Sequence, residues 1–451
     1  MRKFIFTWRH ICLLMFFVFL SSCQNNLDDP HEDKPNRTAS MKISVDDAKK
    51  AAINFLNQKT SDSSSKGLPI FTESNIDNVQ TIENDNEIPI MYAINLKENQ
   101  GFVIMSASRV ERPILAYNNE GHFDFENIEE FGGVADWAVT RYLTINALIE
   151  KGEAPNEQIT QQWAAVNPSI DLGFVDHNGN PIPWTPPSIT DQWDETKSWG
   201  PYLTTKWTQR LTATPGSSLI GYNNFVRFNN CTSGIAPSGC VATAMGQIMR
   251  YHKWPNIYNI ANMPASINSG NYTSADAVNI SYLMQNIGSK VAMTYSCSGS
   301  GAHSDNARNA FVSQYQYYTT PLAALNFTPL MNNLKIAKPV YLDGYRTREI
   351  KTKPKKVGIF GWTIGHTTYS YSNGHAWVAD GFESIKRTTV YSNGYSNSAV
   401  IAEHIHMNWG WGGSYNGWYD YQSWDDANTG QNFPAVDYIY NQHMIYNITP
   451  N

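Results

Sequence analysis

The chain is short of charge and short of cysteine. Only 16% of its 451 residues are Asp, Glu, Lys or Arg, and the net charge is -6. No strong basic field is available to hold nucleic acid, so nucleic acid is not an expected partner. So little charge, together with 30 Gly and 22 Pro, excludes a coiled coil. Five Cys are too few for a disulfide scaffold. Beyond the first two dozen residues, no apolar run is long enough to span a bilayer. What the chain has in plenty is apolar and aromatic surface, 41% and 13% of residues. That is enough to build sizeable cores, which excludes disorder as a whole-chain description. The length predicts two or three domains.

Residues 1–22 read as a signal segment. Arg2, Lys3 and Arg9 give a positive start, and Ile11 to Leu20 form an apolar stretch too short to cross a membrane comfortably. The stretch ends in Leu20-Ser21-Ser22-Cys23, which resembles the lipobox of bacterial lipoproteins. That resemblance implies lipidation of Cys23 and an exported protein held by its N-terminal lipid at the cell envelope or surface. An ordinary signal peptide with an incidental Cys is the other reading. Residues 23–42 are expected to be a tether, since they are polar and acidic. With Cys12 and Cys23 assigned to the signal, Cys231, Cys240 and Cys297 remain. An odd number leaves at least one thiol unpaired within a monomer, and in an exported protein that thiol is a candidate reactive group.

The body divides near a Pro-rich stretch at 176–198, where Pro181, Pro183, Pro186 and Pro187 crowd together. Before it, the spacing predicts a helix over 44–57 capped by Ser44, loops over 59–88, a strand hairpin from 89–96 and 101–107, and a helix near 133–150. This is a small α/β unit. After it come helical signals at 240–253 and around 305–318. A half dense in Gly, Trp and Tyr then predicts antiparallel strands. Segregated helices and strands predict an α+β fold.

Three segments carry candidate chemistry. In Pro237-Ser238-Gly239-Cys240-Val241-Ala242, the break before Cys240 and the apolar face of Val241, Ala244, Met245 and Ile248 put Cys240 in the first turn of a buried helix. A helix N-terminus favours a thiolate. A small apolar residue packed at a helix start is the alternative. A thiolate nucleophile needs an imidazole. His375, in Gly374-His375-Ala376-Trp377-Val378, opens an apolar strand 135 residues after Cys240. His366 precedes a polar run that reads as a surface hairpin, and His404 with His406 forms a His-x-His without a third ligand at a recognisable spacing. No metal or organic cofactor is expected. Asn408, in Met407-Asn408-Trp409-Gly410-Trp411-Gly412-Gly413, has a side-chain carbonyl able to orient an imidazole, and an indole beside it excludes water. A Gly-rich turn with packed Trp, or a sugar-binding platform, fits the same residues.

Taken together, GCVATAMGQIMRYHKWP, GHAWVADGF and MNWGWGG, in this order and at these distances, resemble the streptopain family of papain-like cysteine peptidases. The resemblance implies a papain-like peptidase over 196–451, with a helical and an antiparallel β lobe. It also implies a pro-domain over 43–195 that inhibits and assists folding, carried notably by GFVIMSASRVERPILAYNNEGHF. It implies Cys240 as nucleophile, His375 as general base, and Asn408 with Trp409 beside the histidine. Gln209, in Leu203-Thr204-Thr205-Lys206-Trp207-Thr208-Gln209, is implied as the oxyanion-hole side chain. Arg210 and Leu211 follow it where the family usually has a Gly. The segment 346–373, with Lys351, Lys353, Lys355 and Lys356, is longer than the family pattern. It reads either as a solvated loop or as a device that narrows the cleft or meets acidic substrates. Ser296 to Gly301 resembles a loop bordering the cleft, and Cys231 with Cys297 has the option of pairing. The expected activity is endopeptidase hydrolysis of protein or peptide substrates through a thioester, from a zymogen. The alternatives are a papain-like amidase or acyltransferase on cell-wall or other non-protein amides, and a non-catalytic glycan-binding surface lipoprotein.

Overall fold

In the N-terminal part, strands whose residues are apolar on both faces sit between two helices. The computed structural model describes residues 41–62, 70–128, 131–167, 189–210, 221–268, 270–271, 274–357, 362–392, 394, 396–420 and 440–451. The signal segment, Cys23, the tether and the four clustered prolines lie outside the described residues, and so do the side chains of 346–373. Helix α1 (Val45–Asp62) follows Ser44, whose Oγ accepts from Asp47 N at 3.1 Å. Strands β1 (Ile76–Glu83), β2 (Pro89–Leu96), β3 (Phe102–Ser106) and β4 (Ile114–Asn118) form an antiparallel meander. Helices α2 (Val134–Lys151) and α3 (Glu157–Val166) follow.

The expected loop over 59–88 is corrected here. The helix runs on to Asp62, and β1 lies within the stretch. β1 has no fully buried residue, so its sequence Ile-Asp-Asn-Val-Gln-Thr-Ile-Glu is polar enough to read as a loop. The hairpin and the 133–150 helix agree with expectation to within a residue or so.

The remainder begins with β5 (Ile189–Trp199), inside the stretch expected to be a linker. Helices α4 (Cys240–His252), α5 (Ala275–Lys290), α6 (Ser304–Ser313) and α7 (Phe327–Lys335) make the helical lobe, with the short strands β6 (Tyr317–Tyr318) and β7 (Ala323–Ala324) between α6 and α7. The β lobe is built from β8 (Val340–Val357), β9 (Trp362–Tyr391), β10 (Ser396–Asn408), β11 (Gly417–Asp420), β12 (Tyr440–Ile445) and β13 (Thr449–Pro450). The fold is α+β, with a helical lobe, an antiparallel β lobe and a small N-terminal α/β unit. The basic segment 346–373 is the far end of a long β8–β9 hairpin that keeps register from Val340↔Ala379 out to Val357↔Trp362.

One sheet runs through both halves, in the order β1-β2-β3-β4-β11-β10-β9-β8-β12-β7, with β5 paired to β9. The junction is β4 on β11, through Tyr117↔Trp418 and Ala116↔Tyr419. Three cores result. α1 and α3 cover one face of β2–β4 (Phe55, Trp163, Tyr92, Val103). The opposite face shares a core between α2, β9, β10 and α7, through Trp137, Trp377, Met407 and Leu330. α4, α5 and α6 pack on the other side of β8 and β9, through Met245, Ile280, Phe311 and Val378. Burying large apolar side chains, each contributing about 1.5–3 kcal/mol, makes these cores the dominant stabilising term.

Candidate active site

Cys240 is the first residue of α4. The preceding Gly239 has φ +89° and ψ 146°, a conformation open to glycine. A Cβ there would lie 2.8 Å from the Met293 side chain and 2.9 Å from Ser300 O, so the loop after α5 presses directly on the helix start. That loop is fixed by a disulfide between Cys231 and Cys297, whose Cα atoms are 5.4 Å apart. Cys240 is therefore the one free thiol among the described residues. Arg210 ties the same loop by donating to Cys297 O and Ser298 O at 3.1 and 3.3 Å. Gln209 is buried, and its carbonyl accepts from Ser238 N at 2.9 Å and Ser238 Oγ at 3.1 Å. The segment carrying Gln209 is thereby clipped to the residue two before Cys240.

His375 sits on β9 beside Ala376, but alternation sends the two to opposite faces. Ala376 and Val378 join the core of α4 and Cys240, whereas Trp377 joins the core shared with α2. His375 packs on the latter side. A Cβ on Gly132 would be 3.6 Å from His375 Cβ, and one on Gly133 would be 2.8 Å from His375 Cδ2 and from two Trp409 ring carbons. The N-terminal unit thus lays Gly132 and Gly133 on the imidazole. Trp411 holds them there: its Nε1 donates to Gly132 O at 3.1 Å, and Phe131 meets its ring edge-on at 5.8 Å. The Trp411 ring stacks on His375, with centroids 4.9 Å apart and planes 7° apart.

Among the described residues, His375 and Cys240 are not hydrogen-bonded to each other. His375 Nε2 is 2.9 Å from Trp409 O. A carbonyl only accepts, so Nε2 carries the proton and Nδ1 of a neutral ring is left as the base. Burial pulls the His375 pKa down to about 4, against the upward pull of the Trp409 carbonyl. Burial likewise pushes the Cys240 thiol up. Backbone N–H groups of Ala376, Val241 and Cys240 itself oppose that rise, and the Asp343 charge adds to it. Both groups are thus held neutral, despite the helix N-terminus that favours a thiolate.

Asn408 is buried next to this pair, but its bonds go elsewhere. Oδ1 accepts from Gln247 Nε2 at 3.1 Å and from Gly410 N at 3.2 Å, and Nδ2 donates to Thr205 O at 2.8 Å. Trp409 is fully buried between Trp377 and Tyr419. The structure thus places Cys240 and Gln209 at the start of α4, Asn408 on Gln247 two turns further along, and His375 with Trp409 on the side of the N-terminal unit. Trp411 was missing from the expected set. Its signal was the second Trp of Trp-Gly-Trp-Gly-Gly, two residues after Trp409.

Both histidines of the His-x-His are tied to carboxylates. His406 Nδ1 lies 2.6 Å from Asp380 Oδ1 and His404 Nδ1 lies 3.5 Å from Glu383. Glu383 is the centre of a buried polar cluster joining the two halves. Lys59 pairs with it, Tyr117 Oη donates to it at 2.8 Å, and Ser198 Oγ at 3.1 Å. Nearby, Arg112 reaches Asp420 at 2.9 Å and Glu111 at 3.2 Å, and Arg141 reaches Glu111 at 3.3 Å.

Residues 220–257 and 256–419 match the family model of the Peptidase C10 family, and residues 40–138 match that of Spi protease inhibitor. Streptopain of Streptococcus pyogenes is 25% identical over 73% of each chain. The chain is a cysteine-type peptidase similar to streptopain, with an inhibitor-type segment ahead of the peptidase region. The thiol protease/hemagglutinin PrtT of Porphyromonas gingivalis is 22% identical over 81% of this chain, which spans 38% of that longer protein. A solved prointerpain A fragment from Prevotella intermedia superposes with TM-score 0.47 at 18% identity, covering 82% of this chain and 97% of that one.

Proposed function

We propose that the chain is the latent form of a cysteine endopeptidase. In this reading Cys240 is the nucleophile, His375 the general base, Asn408 the group that orients the ring and Trp409 its shield. Gln209 and the Cys240 backbone N–H are the oxyanion donors. The observation that carries the reading is the packing of Gly132 and Gly133 on His375, with Nε2 held by Trp409 O and no hydrogen bond between the ring and Cys240. An inhibitor-type segment seated on the imidazole of a thiol–imidazole pair is a latent peptidase.

Once the pro-domain leaves, the ring turns toward α4. Nδ1 takes the Cys240 proton, and the sulfur attacks the scissile carbonyl. Collapse of the tetrahedral intermediate breaks the C–N bond, with the proton passing from His375 to the leaving amine. Water then attacks the thioester, giving up a proton to His375, and frees the acid and the thiol. Each oxyanion donor is worth about 3 kcal/mol of barrier.

The pro-domain is assigned to 43–195 and the peptidase to 196–451, with the chain exported, lipidated at Cys23, and cut in the Pro-rich stretch to release the peptidase. Protein and peptide substrates are its partners, together with its own pro-domain. The test is intact mass and casein hydrolysis for wild type and Cys240→Ala. Wild type is expected to shorten to a form lacking residue 24 and to hydrolyse casein. Cys240→Ala is expected to stay full length and inert. Retained processing in Cys240→Ala refutes the nucleophile, and hydrolysis of cell-wall peptide amides with casein untouched favours the amidase reading instead.

A further inference from the structure

Below the site, two side-chain amides and two backbone groups form one directed chain of hydrogen bonds. Trp207 N donates to Gln247 Oε1 at 3.2 Å, Gln247 Nε2 donates to Asn408 Oδ1 at 3.1 Å, and Asn408 Nδ2 donates to Thr205 O at 2.8 Å. All four residues are buried, Gln247 completely. The two ends of a side-chain amide are alike in outline and are told apart by their partners. Here the partners decide. A backbone N–H only donates and a backbone carbonyl only accepts, so the order along the chain is unique. Turning over either amide sets donor against donor or acceptor against acceptor in a dry interior. Each such mismatch leaves a buried polar group unsatisfied.

We propose that Gln247 is a positioning residue for catalysis, fixing the Asn408 amide so that Oδ1 faces the His375 imidazole in the active enzyme. This rests on the assignment of Cys240, His375 and Asn408 given above. An imidazolium ring N–H needs an acceptor. An amide NH2 turned toward it presents a donor to a cation and removes the stabilisation the ring requires. Gln247 stands seven residues after Cys240, about two turns along one face of α4. The helix that presents the nucleophile therefore also sets the partner of its base. In the latent form His375 uses the carbonyl of Trp409, the residue after Asn408, while Oδ1 accepts from both Gln247 Nε2 and Gly410 N, so taking the ring N–H releases Gly410 N. The move from Trp409 O to Asn408 Oδ1 is then an exchange between neighbouring acceptors, and Gln247 keeps the second one in place.

The test uses the full chain, activated by processing, with Gln247→Glu and Gln247→Met made alone and in an Asn408→Ala background. Gln247→Glu keeps the acceptor for Trp207 N but faces Asn408 with a second acceptor, and Gln247→Met keeps length without an amide. Both are expected to lower kcat by roughly tenfold to a hundredfold with KM within about twofold, as a misplaced base does. The alkaline limb of the kcat/KM profile is expected to move to lower pH, because a less stabilised imidazolium loses its proton sooner. In Asn408→Ala, neither replacement is expected to cost more than about twofold further. An unshifted alkaline limb, or the same loss with and without Asn408, overturns the proposal. So does failure of both single variants to fold, since Gln247 is then a packing residue. Asn408→Ala with unchanged kcat overturns the Asn408 assignment and this proposal with it. An inactive processed wild type overturns the peptidase reading itself.

Discussion

Replacing Gly133 by Ala isolates the contact that keeps the site silent. Gly133 has φ +86° and ψ -69°, a region closed to other residues. Forcing an alanine into it costs about 1–3 kcal/mol. The added Cβ meets His375 Cδ2 and two Trp409 ring carbons at 2.8 Å, well inside van der Waals contact. Relieving that overlap costs about 1–3 kcal/mol more. The docked loop is thus weakened by about 2–6 kcal/mol, or about 30-fold to about 10⁴-fold in the equilibrium between closed and open site. Gly132→Ala is the matched control. Its Cβ would meet His375 at 3.6 Å, an ordinary contact, and its backbone is not in the positive-φ region. The assay is the initial rate of peptidyl-fluorophore hydrolysis by freshly purified full-length chain, with intact mass showing it unprocessed. Gly133→Ala is expected to raise that rate at least tenfold and Gly132→Ala to leave it nearly unchanged. A folded Gly133→Ala chain as silent as wild type refutes the idea that this glycine contact closes the site.

Acid is expected to loosen the latent form. His375 titrates near 4 when buried against an ordinary 6.5, so below pH 6.5 the unfolded or undocked state takes up a proton that the docked state refuses. About 3 kcal/mol is lost as pH falls from about 6.5 to about 4. Glu383 is held down to about 2 by His404 and Lys59 against the upward push of burial, so its contribution is complete above about 4.5 and fades toward 2. Melting of full-length Cys240→Ala across pH 7.5 to 2 checks both, and a profile flat between pH 6.5 and 4 contradicts the His375 geometry. Lys59→Met strands the buried Glu383 and is expected to cost about 3–5 kcal/mol. Lys197→Ala, at an exposed pair with Glu195, is expected to leave the melting temperature alone. Removing Cys231–Cys297 as a double Ser variant opens a link spanning 66 residues and is expected to cost about 4 kcal/mol in the chain-entropy picture, read from the urea midpoint.

Much of this site was legible in the sequence because its parts are locally coded. The Pro-Ser-Gly break and the apolar face of α4 placed Cys240 at a helix start, and Gly374 with the apolar run after it placed His375 on a strand. What escaped was coded weakly or not locally at all. The α3, α5 and α7 helices each had a capping signal in Asn156, Ser274 and Asn326, whose side chains accept from the first-turn backbone. None of the three is among the helices expected from the sequence. The join of β4 to β11 links residues some three hundred positions apart, and nothing local to Tyr117 announces Trp418 as its partner. The face of β9 that His375 occupies follows from strand alternation, but its contact with Gly132 and Gly133 joins residues far apart in sequence, and nothing local to His375 announces it.

That shared sheet sets what activation has to overcome. Cutting the chain in the Pro-rich stretch breaks no hydrogen bond of the β4–β11 junction and touches none of the Lys59, Arg112 and Arg141 contacts. A nicked chain is therefore expected to stay latent until the pro-domain separates. The separation exposes the β11 edge and strands Glu383 and Asp420 in place of their partners. The first of these invites strand pairing with another chain, and the second opposes release at neutral pH. Both push in one direction: a second event, further cutting within the pro-domain or acid, has to follow the first cut. Cleaving purified Cys240→Ala in trans with active enzyme at pH 7.5 and gel-filtering the product at once tests this. The nicked halves are expected to co-elute at pH 7.5 and to part at pH 4. Separation at pH 7.5 immediately after a single cut contradicts the role given to the buried cluster and the β4–β11 pairing.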